Sequence, residues 1–230
     1  MKQAHMLKYI ISLLVFAISF QAFSQEKDSI TYKSPYGLRL GIDIGKPILG
    51  MLDSNSNGIE FVADYRISKN WYIAAELGNQ KEKTEEDYTT SSVKGNFIKV
   101  GVNYNAYQNW LDMNNEIYVG FRYGTSIFDQ TLDSYNINTG NEYFSSDTTT
   151  TPLTTSGLNA HWTEFVLGIK VETLKNVYLG FSFSYKIMLS LEHPNNFQTL
   201  YVPGFNRVFD TETGFGFNYT ISYTIPFVNK

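Results

Sequence analysis

The chain has 230 residues, with 18 Lys and Arg against 22 Asp and Glu, and no cysteine. That length suits one domain. The mildly acidic balance excludes a broad field for nucleic acid, and the lack of thiols excludes disulfides and thiolate metal sites. Aromatic residues make up 16% of the chain, 17 Tyr and 17 Phe among them, which is high for a soluble domain.

Residues 1–24 read as a secretory signal peptide. Lys2 and Lys8 make a basic start, Tyr9–Phe20 is apolar, and Ala22-Phe23-Ser24 sets small residues at the −3 and −1 positions before Gln25. The apolar run is about a dozen residues, short of the ~20 that a spanning helix needs. No cysteine follows the cleavage position, so no lipid anchor is expected there. The exported chain from Gln25 keeps 16 basic residues, having lost only Lys2 and Lys8, against all 22 acidic ones. Residues 25–35 form a polar periplasmic lead-in, and residues 36–230 form the main domain. No later segment is apolar enough for a membrane helix.

From Tyr36 onward the chain alternates with period two, the signature of extended strands. Tyr36–Gly45 opens the series. Lys46–Gly58 is a connection ending in turn residues, and Ile59–Ile67 is the second strand. After Ser68-Lys69-Asn70, Trp71–Gly78 is the third. Asn79–Ser92, with KEKTEED at its centre, reads as a charged loop. Gly95–Ala106 and Glu116–Phe128 follow, then a long loop, Asp129–Gly157. Leu158–Thr173 and Val177–Leu191 flank a tight turn at Leu174-Lys175-Asn176. A last long loop, Glu192–Asp210, leads into the closing strand. The connections alternate long and short. In an up-and-down barrel that ordering gathers the long ones at one rim and the short ones at the other, as in outer-membrane barrels.

The expected fold is therefore all-β: a closed antiparallel up-and-down transmembrane barrel of eight strands. Charge sorting supports it. Within the strands one face carries no Asp, Glu, Lys or Arg, while the other holds Arg39, Arg66, Lys99, Arg122, Lys170 and Lys186 with Asp43, Glu60, Asp64, Glu76, Glu116, Glu164 and Glu172. A lysine or arginine on the lipid face at midplane costs ~2–4 kcal/mol. Alternation alone does not separate inside from outside, and a soluble lipocalin-like barrel would bury the apolar face instead. The near balance of opposite charges favours an enclosed, ion-paired lumen. Eight strands leave an interior that side chains nearly fill, so the lumen is expected to be plugged.

The closing stretch, GFGFNYTISYTIPF over Gly214–Phe227, alternates without a break. With Phe181 and Phe183, its Phe215, Phe217, Tyr219, Ile221, Tyr223 and Phe227 are the expected lipid-facing set. On this strand, the loop lengths and the strand pattern, the chain resembles the OmpA-like and OmpX-like small outer-membrane barrels. The resemblance covers Tyr36–Phe227 and includes no catalytic motif. It implies an integral protein of a Gram-negative outer membrane, with membrane lipids around it. In such families the last strand is the signal read by the barrel-insertion machinery, with Phe227 as its aromatic end. Here Val228-Asn229-Lys230 follow that aromatic, a departure from the pattern.

Other candidates are weaker. Asp53-Ser54-Asn55-Ser56-Asn57-Gly58 matches the first half of a calcium loop, whose twelfth position is Asp64. A polar turn explains it more simply, and no metal or cofactor is expected. Ser156, His161 and Glu164 lie near one another in sequence without a linking motif, so no enzyme is expected. Ile48, Leu49, Met51 and Leu52 form an apolar segment inside an outer loop, which suggests contact with another outer-membrane protein. The composite expectation is a non-enzymatic structural barrel or accessory subunit of a larger outer-membrane assembly, such as barrel-insertion or export machinery. The alternatives are a porin-like small-solute channel and a lipid-modifying enzyme.

Overall fold

A computed structural model describes residues 35–109, 113–136, 148–195 and 197–229. The expected signal peptide and the lead-in up to residue 34 lie outside the described residues. The strands are β1 (Pro35–Asp43), β2 (Ser56–Arg66), β3 (Trp71–Glu85), β4 (Thr89–Asn105), β5 (Glu116–Asn136), β6 (Thr148–Thr149), β7 (Leu153–Leu174), β8 (Val177–Leu191), β9 (Tyr201–Val202), β10 (Asn206–Arg207) and β11 (Thr213–Asn229). One helix, α1 (Gly45–Leu52), joins β1 to β2.

Eight strands form the wall in the order β4-β3-β2-β1-β11-β8-β7-β5, and pairing of β5 with β4 closes the ring. Every wall pairing is antiparallel. Pro35 lies opposite Asn229, so both ends of the barrel segment meet at one rim. That rim, the turn rim, also carries residues 67–70 and 175–176. Asn176 takes a left-handed φ of 66° in its two-residue turn, a conformation that asparagine tolerates. The opposite rim, the loop rim, carries α1 and residues 192–212.

Period two turns one side of each strand outward. Leu167 is 57% exposed, Phe217 60% and Tyr223 50%, whereas Arg122 is 2% exposed and Glu164 1%. The outward surface is a continuous belt of Leu, Ile, Val, Phe, Tyr and Trp. Its rings pack across strands: Phe183 and Phe217 have centroids 5.3 Å apart, and Phe121 and Phe165 meet edge to face at 5.5 Å. Such cross-strand pairs contribute roughly 0.2–1 kcal/mol each. A soluble sheet cannot leave this belt in water while hiding its carboxylates, so the architecture is that of a transmembrane barrel.

Several expected connections are strand instead. Asn79–Ser92 is not a charged loop: β3 runs through Lys81 to Glu85, β4 starts at Thr89, and only residues 86–88 turn the hairpin. Likewise β5 continues past Phe128 to Asn136, and β7 begins at Leu153, so much of Asp129–Gly157 is paired. The strict alternation of long and short connections therefore fails. The asymmetry comes instead from strands of 21 and 22 residues in β5 and β7. These exceed the ~9–11 residues that cross a bilayer and project beyond it at the loop rim. The ends that were expected to be loop, residues 129–136 and 153–157, are mostly polar, so they lack the hydrophobic signal by which strands are read.

Leu167 sits within the belt, paired with Val119 and Phe183. Leu167→Lys should lower unfolding free energy in lipid vesicles by about 2–4 kcal/mol, read by denaturant titration. A change within about 0.5 kcal/mol, as for a water-exposed site, would mean that this face does not meet hydrocarbon.

Candidate functional site

The lumen gathers the residues that have chemistry, and it has two tiers. Toward the turn rim it is ionic. Arg39 donates from Nη2 to Glu116 Oε1 at 2.5 Å, and its Nε lies 3.6 Å from Asp64 Oδ1. Its guanidinium also stacks 4.3 Å from the Tyr178 ring centroid. Asp64 is bonded by Lys170, which lies over the Tyr118 ring. Higher up, Lys99 Nζ reaches Glu60 at 2.8 Å and Glu76 at 2.6 Å, and stands 4.0 Å from Glu164. Arg122 Nε donates to Glu76 at 3.1 Å. Lys186 is 3.8 Å from Glu164, whose Oε1 also accepts from Trp162 Nε1 at 2.7 Å.

The remaining residues of the sequence-derived set also face inward but act locally. Asp43 accepts from the backbone N–H groups of Gly45 and Tyr219 and from Asn218. Arg66 donates to the carbonyls of Ser68 and Lys69 and lies over the Tyr36 and Tyr72 rings. Glu172 accepts from Asn114 and from the Asn176 N–H.

One lumen cation was missed from the sequence. Lys46, the second residue of α1, sends Nζ to Glu60 Oε2 at 2.6 Å and lies over the Phe97 ring. It is a seventh cation beside the seven sequence-assigned acids. Strand periodicity could not find it, because it enters from a helix.

The loop-rim tier has an apolar core, a feature beyond the expected ion-paired lumen. Val93, Phe97, Phe128, Leu158, Ala160, Trp162 and Met188 point inward from the wall and meet Val202 and Phe205. The last two come from the segment Glu192–Asp210, expected to be an outer loop. Part of it instead folds inward as the β9–β10 hairpin. Lys186 Nζ donates to Gly204 O at 2.7 Å and Phe205 O at 3.3 Å, and Gln80 accepts from Gly204 N–H and bonds the Tyr201 hydroxyl. Gly204 has φ +82° and lies against Phe97, where a Cβ would come within 2.6 Å of the ring. Gly124 similarly leaves room for the Trp162 indole. The one sequence signal for this tuck was Pro203-Gly204, a turn dipeptide between Tyr201-Val202 and Phe205.

The cavities among the described residues are small. A cavity of about 30 Å³ lies beneath Arg39, Arg66 and Tyr72, and another of about 30 Å³ lies among Asp64, Arg122 and Lys170. Each has room for about two waters. Between Leu132, Leu153 and Phe197 at the loop rim is a third, of about 120 Å³. All are below the ~300 Å³ of a small-molecule pocket.

The weaker candidates do not assemble. His161 faces outward, its Nδ1 3.0 Å from the Tyr123 hydroxyl, while Glu164 is inside the barrel. An odd offset along one strand puts the two on opposite faces. In the calcium-like segment, Asp53 Oδ1 accepts from the Asn55 N–H at 2.9 Å, as in an ordinary Asx turn. Ser56–Gly58 already belong to β2, and Asp64 is committed to Arg39 and Lys170. No metal-holding cluster exists among the described residues.

Lys99 is the hub, since it touches carboxylates of three strands. Lys99→Met should destabilise the folded barrel by about 3–5 kcal/mol, the cost of stranding buried charge. Adding Glu60→Gln should recover part of that loss in the same denaturant titration.

Compared with known proteins, the chain is similar in structure to Ail, the attachment invasion locus protein of Yersinia pestis, at 10% identity. That match covers 85% of this chain and 99% of Ail, with a TM-score of 0.39. It is also similar to Neisserial surface protein A (NspA), at 12% identity over 85% of this chain and 100% of that one, with a TM-score of 0.43. No curated protein matches its sequence. A family model described as a domain of unknown function matches residues 6–230, and the chain belongs to that family, DUF6048.

Proposed function

We propose that this protein is an integral outer-membrane barrel, exported by its N-terminal signal, whose lumen is sealed and whose role is structural. It serves as a non-enzymatic accessory subunit of a larger outer-membrane assembly. The observation that carries the reading is the double closure of the lumen. Paired charges occupy the turn-rim half, and the β9–β10 hairpin, held by Lys186 and Gln80, fills the loop-rim half. A barrel whose lumen is filled in this way acts through its surfaces. Two are available: the apolar belt, and the part of the β3–β4–β5–β7 sheet that projects past the loop rim. Barrel-insertion machinery enters as a partner in biogenesis, through the closing strand β11, with Phe227 as its last aromatic residue. Whether it or an export complex is also the working partner is a matter for co-purification in mild detergent.

The channel reading is disfavoured by Phe97, Trp162 and Phe205, which lie across the interior at 2% exposure or less. The lipid-modifying reading is disfavoured by the opposite facing of His161 and Glu164.

In planar bilayers the purified protein should show no steady unit conductance. Large, stable single-channel currents would overturn the sealed-lumen reading in favour of a small-solute channel.

A further inference from the structure

The wall is not uniform in height. The β1–β11 pairing stops at Asp43 opposite Thr220, and the β1–β2 pairing stops at Asp43 opposite Glu60. Both neighbours continue toward the loop rim, β11 to Thr213 and β2 to Ser56. Above Asp43 the ring therefore has a notch one strand wide, and α1 packs beside both of the strands that border it. Gly45 adjoins the Tyr219 ring of β11, and Gly50 lies against the Ser56 carbonyl of β2.

The helix has two dissimilar sides. At 100° per residue, Lys46 and Gly50 share one face. Lys46 crosses the wall line to Glu60 inside the lumen, and Gly50 permits the close approach to β2. The opposite face carries Ile48, Met51 and Leu52, which are 49%, 86% and 80% exposed, and Leu49, 57% exposed, flanks it. It contains no charge, and the single charged residue of α1 is withdrawn into the barrel. The helix has eight residues, no side-chain cap, no acid in its first turn and no base in its last. Isolated helices shorter than ~12–15 residues are marginal in water, so α1 depends on what its faces touch.

Its level in the wall indicates what the outward face touches. β1 has 9 residues, about the number that crosses the hydrocarbon, so α1 starts where the hydrocarbon ends. The outward face is continuous with the belt at Phe61 and Tyr219, which are 54% and 52% exposed. By contrast, the β3–β4 hairpin tip, farther from the belt, is charged at Lys83, Glu85, Glu86 and Asp87. We infer that α1 is an interfacial foot. Lys46 pins it to the lumen, and Ile48, Leu49, Met51 and Leu52 lie in the boundary between lipid headgroups and acyl chains. The occupant of this face is lipid, in place of the protein partner that the sequence suggested. This inference rests on the membrane reading above and adds a second, non-strand element to the membrane-contacting surface.

The cysteine-free chain permits a direct test. Single variants Met51→Cys and Leu52→Cys, with Ile221→Cys as belt reference and Lys83→Cys as aqueous reference, carry a nitroxide in phosphatidylcholine proteoliposomes. Collision with oxygen and with a water-soluble nickel chelate is then measured. The oxygen-to-nickel ratio at 51 and 52 should lie several-fold above that at 83 and approach that at 221. A ratio at 51 and 52 equal to that at 83, with 221 protected, would overturn the inference while sparing the barrel's membrane assignment. Nickel access at 221 would sink both. Exclusion of both reagents at 51 and 52 would assign the face to a second copy of the chain and overturn the lipid occupant.

Discussion

Glu60 carries a carboxylate at zero exposure because Lys46 and Lys99 reach it from α1 and β4, at 2.6 and 2.8 Å. This compensation is the constraint on which the structure rests. An apolar outer belt commits every polar strand position to the interior, and a charge there costs several kcal/mol unless met by its opposite. The lumen meets it with chains of pairs: Arg122 to Glu76 to Lys99 to Glu60 to Lys46, and Arg39 to Asp64 to Lys170. Because these partners stand on different strands, the pairs also tie the wall together across the ring.

The second tier follows from the same geometry. Ionic packing fills the interior where long Arg, Lys and Glu side chains meet from facing strands. Nearer the loop rim the inward positions include the apolar Val93, Phe97, Phe128, Leu158 and Trp162. A hollow lined by these residues would leave an apolar mouth in contact with water. Val202 and Phe205 close it by burying their own apolar surface there, which is favourable at roughly 25 cal/mol per Å². The hairpin's backbone is not left unpaired, since Lys186 takes the carbonyls of Gly204 and Phe205 and Gln80 takes the N–H of Gly204. One lysine thus joins the ionic tier to the plug.

The uneven wall height divides the loop rim into two kinds of surface. On one side β3, β4, β5 and β7 rise as a polar, charged sheet. On the other, short β1 gives way to α1 and its apolar outer face. The molecule therefore has separate surfaces for water and for the membrane boundary, and both lie outside a filled interior.

How much of this was legible in the sequence depends on range. Alternation along each strand is a local property, since backbone geometry alone sends neighbouring side chains to opposite faces. Residues 36–227 therefore determined the eight strands, the apolar outer set from Phe181 to Phe227, and the inward charges from Arg39 to Lys186. The balance of those charges also indicated which side was dry. Three features were settled only by the tertiary structure. Lys81–Glu85 looked like a solvated loop because its pattern lacks an apolar face, yet pairing with β4 makes it strand. Tyr201–Arg207 looked like an outer connection because nothing local reveals that Phe205 finds Phe97 and Trp162 inside. The inward reach of Lys46 required both the helix and the notch beside it. Each depends on contacts between residues far apart in the chain, which no short window of sequence contains.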